Sequence, residues 1–183
     1  MLRAVMNTTF FFALVLSVAN IVLSLVFFFL GYQTDKITQG QWVSLFLPLV
    51  VMIVVNWLGI KAVREEAKDN SLSYGKGVGT GFLITLYAAL IGIFYTFIHL
   101  QFINPNFADY AIDAVRQKWV AAGMGDSQME QTEKFMRFIY KPAIMAIMGF
   151  IMSLVGGLVV SLILSIFLRR KPAAPVEDAP PAV

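Results

Sequence analysis

Four long stretches of this chain carry no charge at all: Asp, Glu, Lys and Arg are missing from residues 4–34, 37–60, 77–108 and 142–168. Each stretch exceeds the roughly 20 apolar residues that a helix needs to cross a hydrocarbon layer about 30 Å thick. A helix satisfies its own backbone hydrogen bonds there, and no alternation of period two suggests a barrel. The pattern therefore predicts an all-α polytopic membrane protein with four transmembrane helices, near residues 8–30, 42–60, 78–102 and 143–168.

Between the third and fourth spans, residues 104–141 change character. Phe107, Tyr110, Ala111, Ala114, Val115 and Trp119 recur at threes and fours opposite Asp109, Asp113 and Lys118, which predicts an amphipathic helix. Gly123 and Gly125 end it, and Ser127 with Glu130 has the spacing of a capping box for a second helix through Met129, Phe135 and Ile139. The expectation is an extramembrane amphipathic helical hairpin. It either covers the outer end of the bundle or lies in the headgroup layer, with a periplasmic docking surface as the sharper reading. Residues 1–170 read as one transmembrane domain, and residues 171–183, with four prolines and two acids, read as a solvated cytoplasmic tail.

Composition narrows the function classes. Of 183 residues, 58% are hydrophobic and 14% charged, and the mean hydropathy is +0.75, against about 45–50% apolar and about 25% charged in a soluble domain. With the spans taking most of the length, no second catalytic domain is expected. Zero cysteines exclude disulfides, thiolate chemistry and cysteine-held zinc or iron–sulfur. A formal charge of +3 suits basic flanks of membrane helices better than a nucleic-acid face, so no nucleic acid is expected as a partner.

Arg3 before an apolar run, with Ser17-Val18-Ala19, also resembles a cleaved signal peptide. The run continues to Leu30, too long for such a segment, and an uncleaved helix is expected. Basic residues then suggest the orientation. Eight lie on the side of the termini and the 61–76 loop, among them Arg3, Lys61, Arg64 and Arg169, against six on the other, where Arg116 and Lys118 sit far from any span. Both termini read as cytoplasmic. Tyr32, Trp42 and Tyr140 would mark the outer interface, Trp57 and Tyr74 the inner one.

The stretch Gly59-Ile60-Lys61-Ala62-Val63-Arg64-Glu65-Glu66, then Leu72-Ser73-Tyr74-Gly75-Lys76-Gly77 with Gly81, and later Ile103-Asn104-Pro105-Asn106-Phe107, resembles the four-helix bacterial membrane family catalogued as domain of unknown function 4199, common in Bacteroidetes. The resemblance spans most of residues 5–168. It implies a multi-pass protein of the bacterial cytoplasmic (inner) membrane with this helix layout, and it lends no catalytic or binding residues.

Candidate polar groups are few. His99 is the only histidine, and metal binding or proton relay would need a carboxylate or second imidazole on a neighbouring helix. No span contains a carboxylate, so His99 is expected to hydrogen-bond a neighbouring helix or the interface. Asn20 and Asn56 lie within spans, where an amide is satisfied chiefly across to another helix. Gly75, Gly77, Gly79 and Gly81 lack the preceding strand and following Gly-Lys-Ser/Thr of a phosphate loop, and are expected to allow close helix approach. Pro48 removes the donor that would meet the Ser44 carbonyl and predicts a kink, with a gating hinge as the sharper reading.

In the fourth helix, Gly149, Ser153, Gly157, Ser161 and Ser165 recur at every fourth residue, a ridge of small side chains. Such a ridge favours close backbone approach at crossings near about −40 to −50°. In the first helix Ala13, Ser17, Asn20 and Ser24 average about 3.5 residues per step, which suits a left-handed crossing. The fourth helix is expected to make the tightest contact, within its own bundle or with a second chain.

No cofactor, metal site or catalytic constellation is expected, and two function classes survive. One is a non-enzymatic scaffold or accessory subunit, embedded in the lipid bilayer as a homo-oligomer or as part of a larger membrane complex. The other is a small-solute transporter or channel, for which His99 is the sole ionisable candidate in a span.

Overall fold

The computed structural model describes residues 2–67 and 69–171. The Pro-rich segment after Lys171 lies outside the described residues. Six α-helices follow one another: α1 (Leu2–Phe29), α2 (Ile37–Glu65), α3 (Tyr74–Ile98), α4 (Phe107–Ala121), α5 (Asp126–Ile139) and α6 (Pro142–Leu168). A π-helical turn over His99–Ile103 continues α3. Four helices are long and apolar enough to cross a membrane, so the chain is an all-α polytopic membrane protein.

Local chemistry sets the boundaries. Gly31 adopts φ 84°, a conformation that costs a side-chain-bearing residue. It ends α1 in a Schellman motif: Tyr32 N–H donates to Phe27 O at 2.8 Å and Gly31 N–H to Phe28 O at 3.0 Å, with the Phe27 and Tyr32 rings in contact. Gly123, at φ 71°, ends α4 in the same way, through Met124 N–H to Trp119 O at 3.0 Å. Ser73 caps α3 by accepting from Lys76 N–H at 3.4 Å, and Pro142 opens α6 where no helix donor is needed.

One boundary differs from the expected pattern. The N-cap of α5 is Gly125, with no side-chain cap bond, so Ser127 lies inside the helix and Ser127 with Glu130 makes no capping box. Asp126 takes the first helical position instead, where its carboxylate meets the positive end of the helix dipole.

The helix α3 is central, flanked by α6, α1 and α2. Where the 66–73 loop joins α2 to α3, here called the loop end, Ile60, Val63, Leu72, Val160, Leu164 and Leu168 form one core cluster. A second, with Ala13, Leu16, Val55, Ile84 and Ala88, lies farther along the bundle. Toward α4 and α5, the hairpin end, the packing thins. No residue of α2 from Gln41 to Val54 is buried. The apolar side chains left outward, such as Phe29, Phe94, Met152 and Phe167, suit contact with lipid.

Small residues close the loop end. The α3 residues Gly77, Gly81 and Thr85 face the α6 residues Ser165, Ser161 and Gly157 in antiparallel register, four residues per step on each helix. A Cβ on Gly77 would come to 2.8 Å from Ser165 Oγ and one on Gly81 to 2.5 Å from Ser161 Oγ; one on Gly157 would overlap the Thr85 side chain. The same register continues beyond the helices, where Leu72 and Arg170 exchange two backbone hydrogen bonds of 2.9 Å. Gly75 and Gly79 meet nothing within 4 Å and take no part in this seam.

Candidate functional site

Buried polar side chains join different elements at two places. At the first, midway along the bundle, Asn56 of α2 is fully buried; its Nδ2 donates to Met52 O at 2.9 Å and across to Thr85 Oγ1 at 3.3 Å. Thr85 in turn donates to Gly81 O at 3.2 Å and stands against Gly157. Thr85 thus joins α3 to α2 by a hydrogen bond and to α6 by packing. Asn20 is elsewhere, and its buried Oδ1 has no hydrogen-bond partner among the described residues.

The second place is the hairpin end, around His99. Tyr95 and His99 lie four residues apart, on one face of α3. The Tyr95 hydroxyl stands 3.1 Å from His99 Nδ1, and Gln33 Oε1 stands 2.7 Å from His99 Nε2. The Gln33 amide nitrogen donates to Ser24 O at 3.1 Å, a carbonyl that can only accept, which orients the amide with its oxygen toward the imidazole. A neutral His99 ring therefore carries its proton on Nε2, donating to Gln33 Oε1, and accepts at Nδ1 from the Tyr95 hydroxyl. Both nitrogens are occupied, and the ring, 3% exposed with Phe28 edge-on against it, serves as a structural joint between α3 and the 30–36 loop.

The π turn contributes to this joint. Its wider ring lets Asn104 N–H reach His99 O at 2.7 Å, and the Asn104 side chain donates to Gln33 O at 3.0 Å. Gln33 is thus held by side chain and backbone. Sequence reasoning named His99 but missed Gln33, Tyr95 and Asn104. The four-residue spacing of Tyr95 and His99 was a legible signal; the approach of Gln33, far away in the chain, was not.

Beside this joint lies a cavity of about 570 Å³. Thr38, Gln41 and Ser44 of α2 form one wall, and Tyr95, Thr96 and His99 of α3 another. The amphipathic α4 roofs it with Phe107, Ala111 and Val115, while Met145 of α6 and Leu45 of α2 add apolar surface. Lys118 stands at its edge, exposed. Ser44 Oγ is buried and has no partner among the described residues. Among the described residues no group of three or more His, Cys, Asp or Glu side chains could hold a metal ion.

The small-residue ridge of α6 is divided between these regions. Gly157, Ser161 and Ser165 are buried in the seam, whereas Ser153 and Gly149 are exposed, and a Cβ on Gly149 would meet nothing within 4 Å. A match to the family described as Protein of unknown function (DUF4199) covers residues 11–170. No curated protein and no solved structure matches the chain.

Proposed function

This chain belongs to the DUF4199 family, and from that premise we propose that it is a non-enzymatic component of a bacterial cytoplasmic membrane, a scaffold or accessory subunit that packs on other membrane chains with both termini cytoplasmic. The half-used ridge of α6 supports this reading. Lipid tails offer no hydrophobic drive for helix association, so small residues matter where they let another backbone approach. The loop-end half of the ridge meets α3, while Gly149 and Ser153 stand open. A helix of a second chain is the fitting occupant.

Purification in mild detergent followed by native mass spectrometry tests the proposal. A second chain, of this or another sequence, should travel with the protein and be lost in Gly149→Ile, whose side chain would block the open half of the ridge while sparing the seam. A strictly monomeric protein in native-like nanodiscs would overturn it. The cavity beside His99 favours a second reading, a small-solute transporter or channel. Reconstituted protein showing pH-dependent uptake that vanishes in His99→Phe would select that reading.

A further inference from the structure

The cavity under α4 is chemically two-sided. Its α2 wall carries hydroxyls and an amide, Thr38, Ser44 and Gln41, whereas Leu45, Leu100 and Met145 give it a hydrocarbon side. Its volume of about 570 Å³ lies within the range of small-molecule sites, about 300–1,000 Å³. No carboxylate lines it, and Lys118 makes no ion pair among the described residues. On the same helix, by contrast, Asp109 is paired with Arg137 at 2.7 Å.

Ser44 supplies an independent indication. Serines on a helix commonly satisfy their hydroxyl on the carbonyl four residues back, as Ser17 does on Ala13 at 2.8 Å and Ser161 on Gly157 at 2.6 Å. The buried Ser44 Oγ makes no such bond, and Pro48, lacking an N–H, cannot meet the Ser44 carbonyl. The Ser44 hydroxyl therefore has no partner among the described residues and its carbonyl lacks the usual donor four residues on, beside a cavity and within a helix apolar enough to span a membrane. Leaving them so is costly. The His99–Gln33 pair, already saturated, offers the cavity a wall and no vacant donor.

We propose that this cavity binds the anionic head group of an acyl lipid, with Lys118 as counter-ion, Ser44 and its α2 neighbours hydrogen-bonding the head, and the chain lying along the unburied stretch of α2. A cation is disfavoured by Lys118 and the missing acids. A hydrocarbon alone would leave Ser44 unsatisfied, and a small polar solute would waste the apolar side. The anion is the phosphate of an anionic phospholipid or the carboxylate of a fatty acid. The proposal is independent of whether a second chain packs on α6.

The test uses the full chain in nonionic detergent, with thermal unfolding followed on adding phosphatidylglycerol, oleate or phosphatidylcholine. An anionic ligand at ten times its dissociation constant should raise the midpoint by about 3–5 °C, and phosphatidylcholine should not. A shift with phosphatidylglycerol alone identifies the phosphate; a shift with oleate alone identifies the carboxylate. Lys118→Gln should abolish the difference, while Arg116→Gln, the same charge loss two residues away, should keep it. Ser44→Leu, which fills the polar wall, should weaken binding about five-fold or more. Equal shifts from anionic and zwitterionic lipid, no shift at all, or equal losses in Lys118→Gln and Arg116→Gln would each overturn the proposal.

Discussion

Thr85 of α3 occupies the space that a side chain at position 157 of α6 would need. Its β-branched side chain has little rotamer freedom in a helix, and its hydroxyl is engaged by Gly81 O and Asn56 Nδ2. It cannot step aside cheaply. Gly157→Ala should therefore destabilise the bundle by about 1–3 kcal/mol, the usual cost of overpacking. Adding Thr85→Ala should recover much of the loss, and Gly149→Ala should be near neutral. Thermal or denaturant unfolding in detergent reads all three, and a wild-type-like Gly157→Ala would show that the seam is looser than described.

At Asn56 the outcome depends on charge more than on shape. The side chain donates to Thr85 but leaves its own buried Oδ1 without a partner among the described residues. Asn56→Leu loses a membrane hydrogen bond worth about 0.6 kcal/mol and also removes an unsatisfied carbonyl, so its net effect should stay within about 1 kcal/mol. Asn56→Asp should cost about 2.5–3.5 kcal/mol, the scale for a carboxylate at this depth. Similar stabilities for the two variants would contradict this account.

For His99, the expected defect is structural. His99→Phe leaves Gln33 Oε1 and the Tyr95 hydroxyl without their imidazole partners, at a cost of about 1–3 kcal/mol. Amide exchange should quicken in the 30–36 loop and the π turn, with the α3–α6 seam unchanged. Uniform exchange changes across the bundle would argue against a local joint.

The hairpin should respond to acid and salt. Lys134 hydrogen-bonds Glu130 and adds its charge, holding the Glu130 carboxyl below its usual range. A carboxyl lowered in the folded state stabilises above its unfolded value, about 4.3, and that contribution is lost as pH falls through the folded value. Circular dichroism should show α5 losing helicity below about pH 4, with no change between pH 5 and 7. Arg137→Gln, which removes the links to Asp109 and Glu133, should loosen the contact between α4 and α5 and reduce its salt sensitivity. Retained salt sensitivity in that variant would assign it elsewhere.

Topology is testable because the chain contains no cysteine. Ser71→Cys and Ser127→Cys should be labelled by an impermeant thiol reagent from opposite sides of the membrane. Labelling of Ser71→Cys but not Ser127→Cys in intact cells would reverse the proposed orientation.

The four apolar helices and the amphipathic hairpin were legible because they depend on local composition: charge-free length, threes and fours, and turn glycines at 123 and 125. The α6 ridge was legible as a spacing of small residues, and glycines 75, 77, 79 and 81 as a cluster. What decided their use was register. Only the antiparallel docking of α3 on α6 selects Gly77 and Gly81 over Gly75 and Gly79, and Gly157, Ser161 and Ser165 over Gly149 and Ser153.

The capping box failed for a related reason. Ser127 and Glu130 have the right spacing, but the turn at Gly123 delivers the chain so that Gly125 takes the cap. Likewise, Gln33 carries no sequence mark; it becomes His99's partner because the α1–α2 turn and the π turn end at the same place. Hydrophobic patterning by itself determined which segments enter the membrane, since that transfer is priced residue by residue. The tertiary structure decided which polar atoms find partners, which glycines admit a neighbour and where a cavity remains, because those outcomes depend on distances between helices that no single segment encodes.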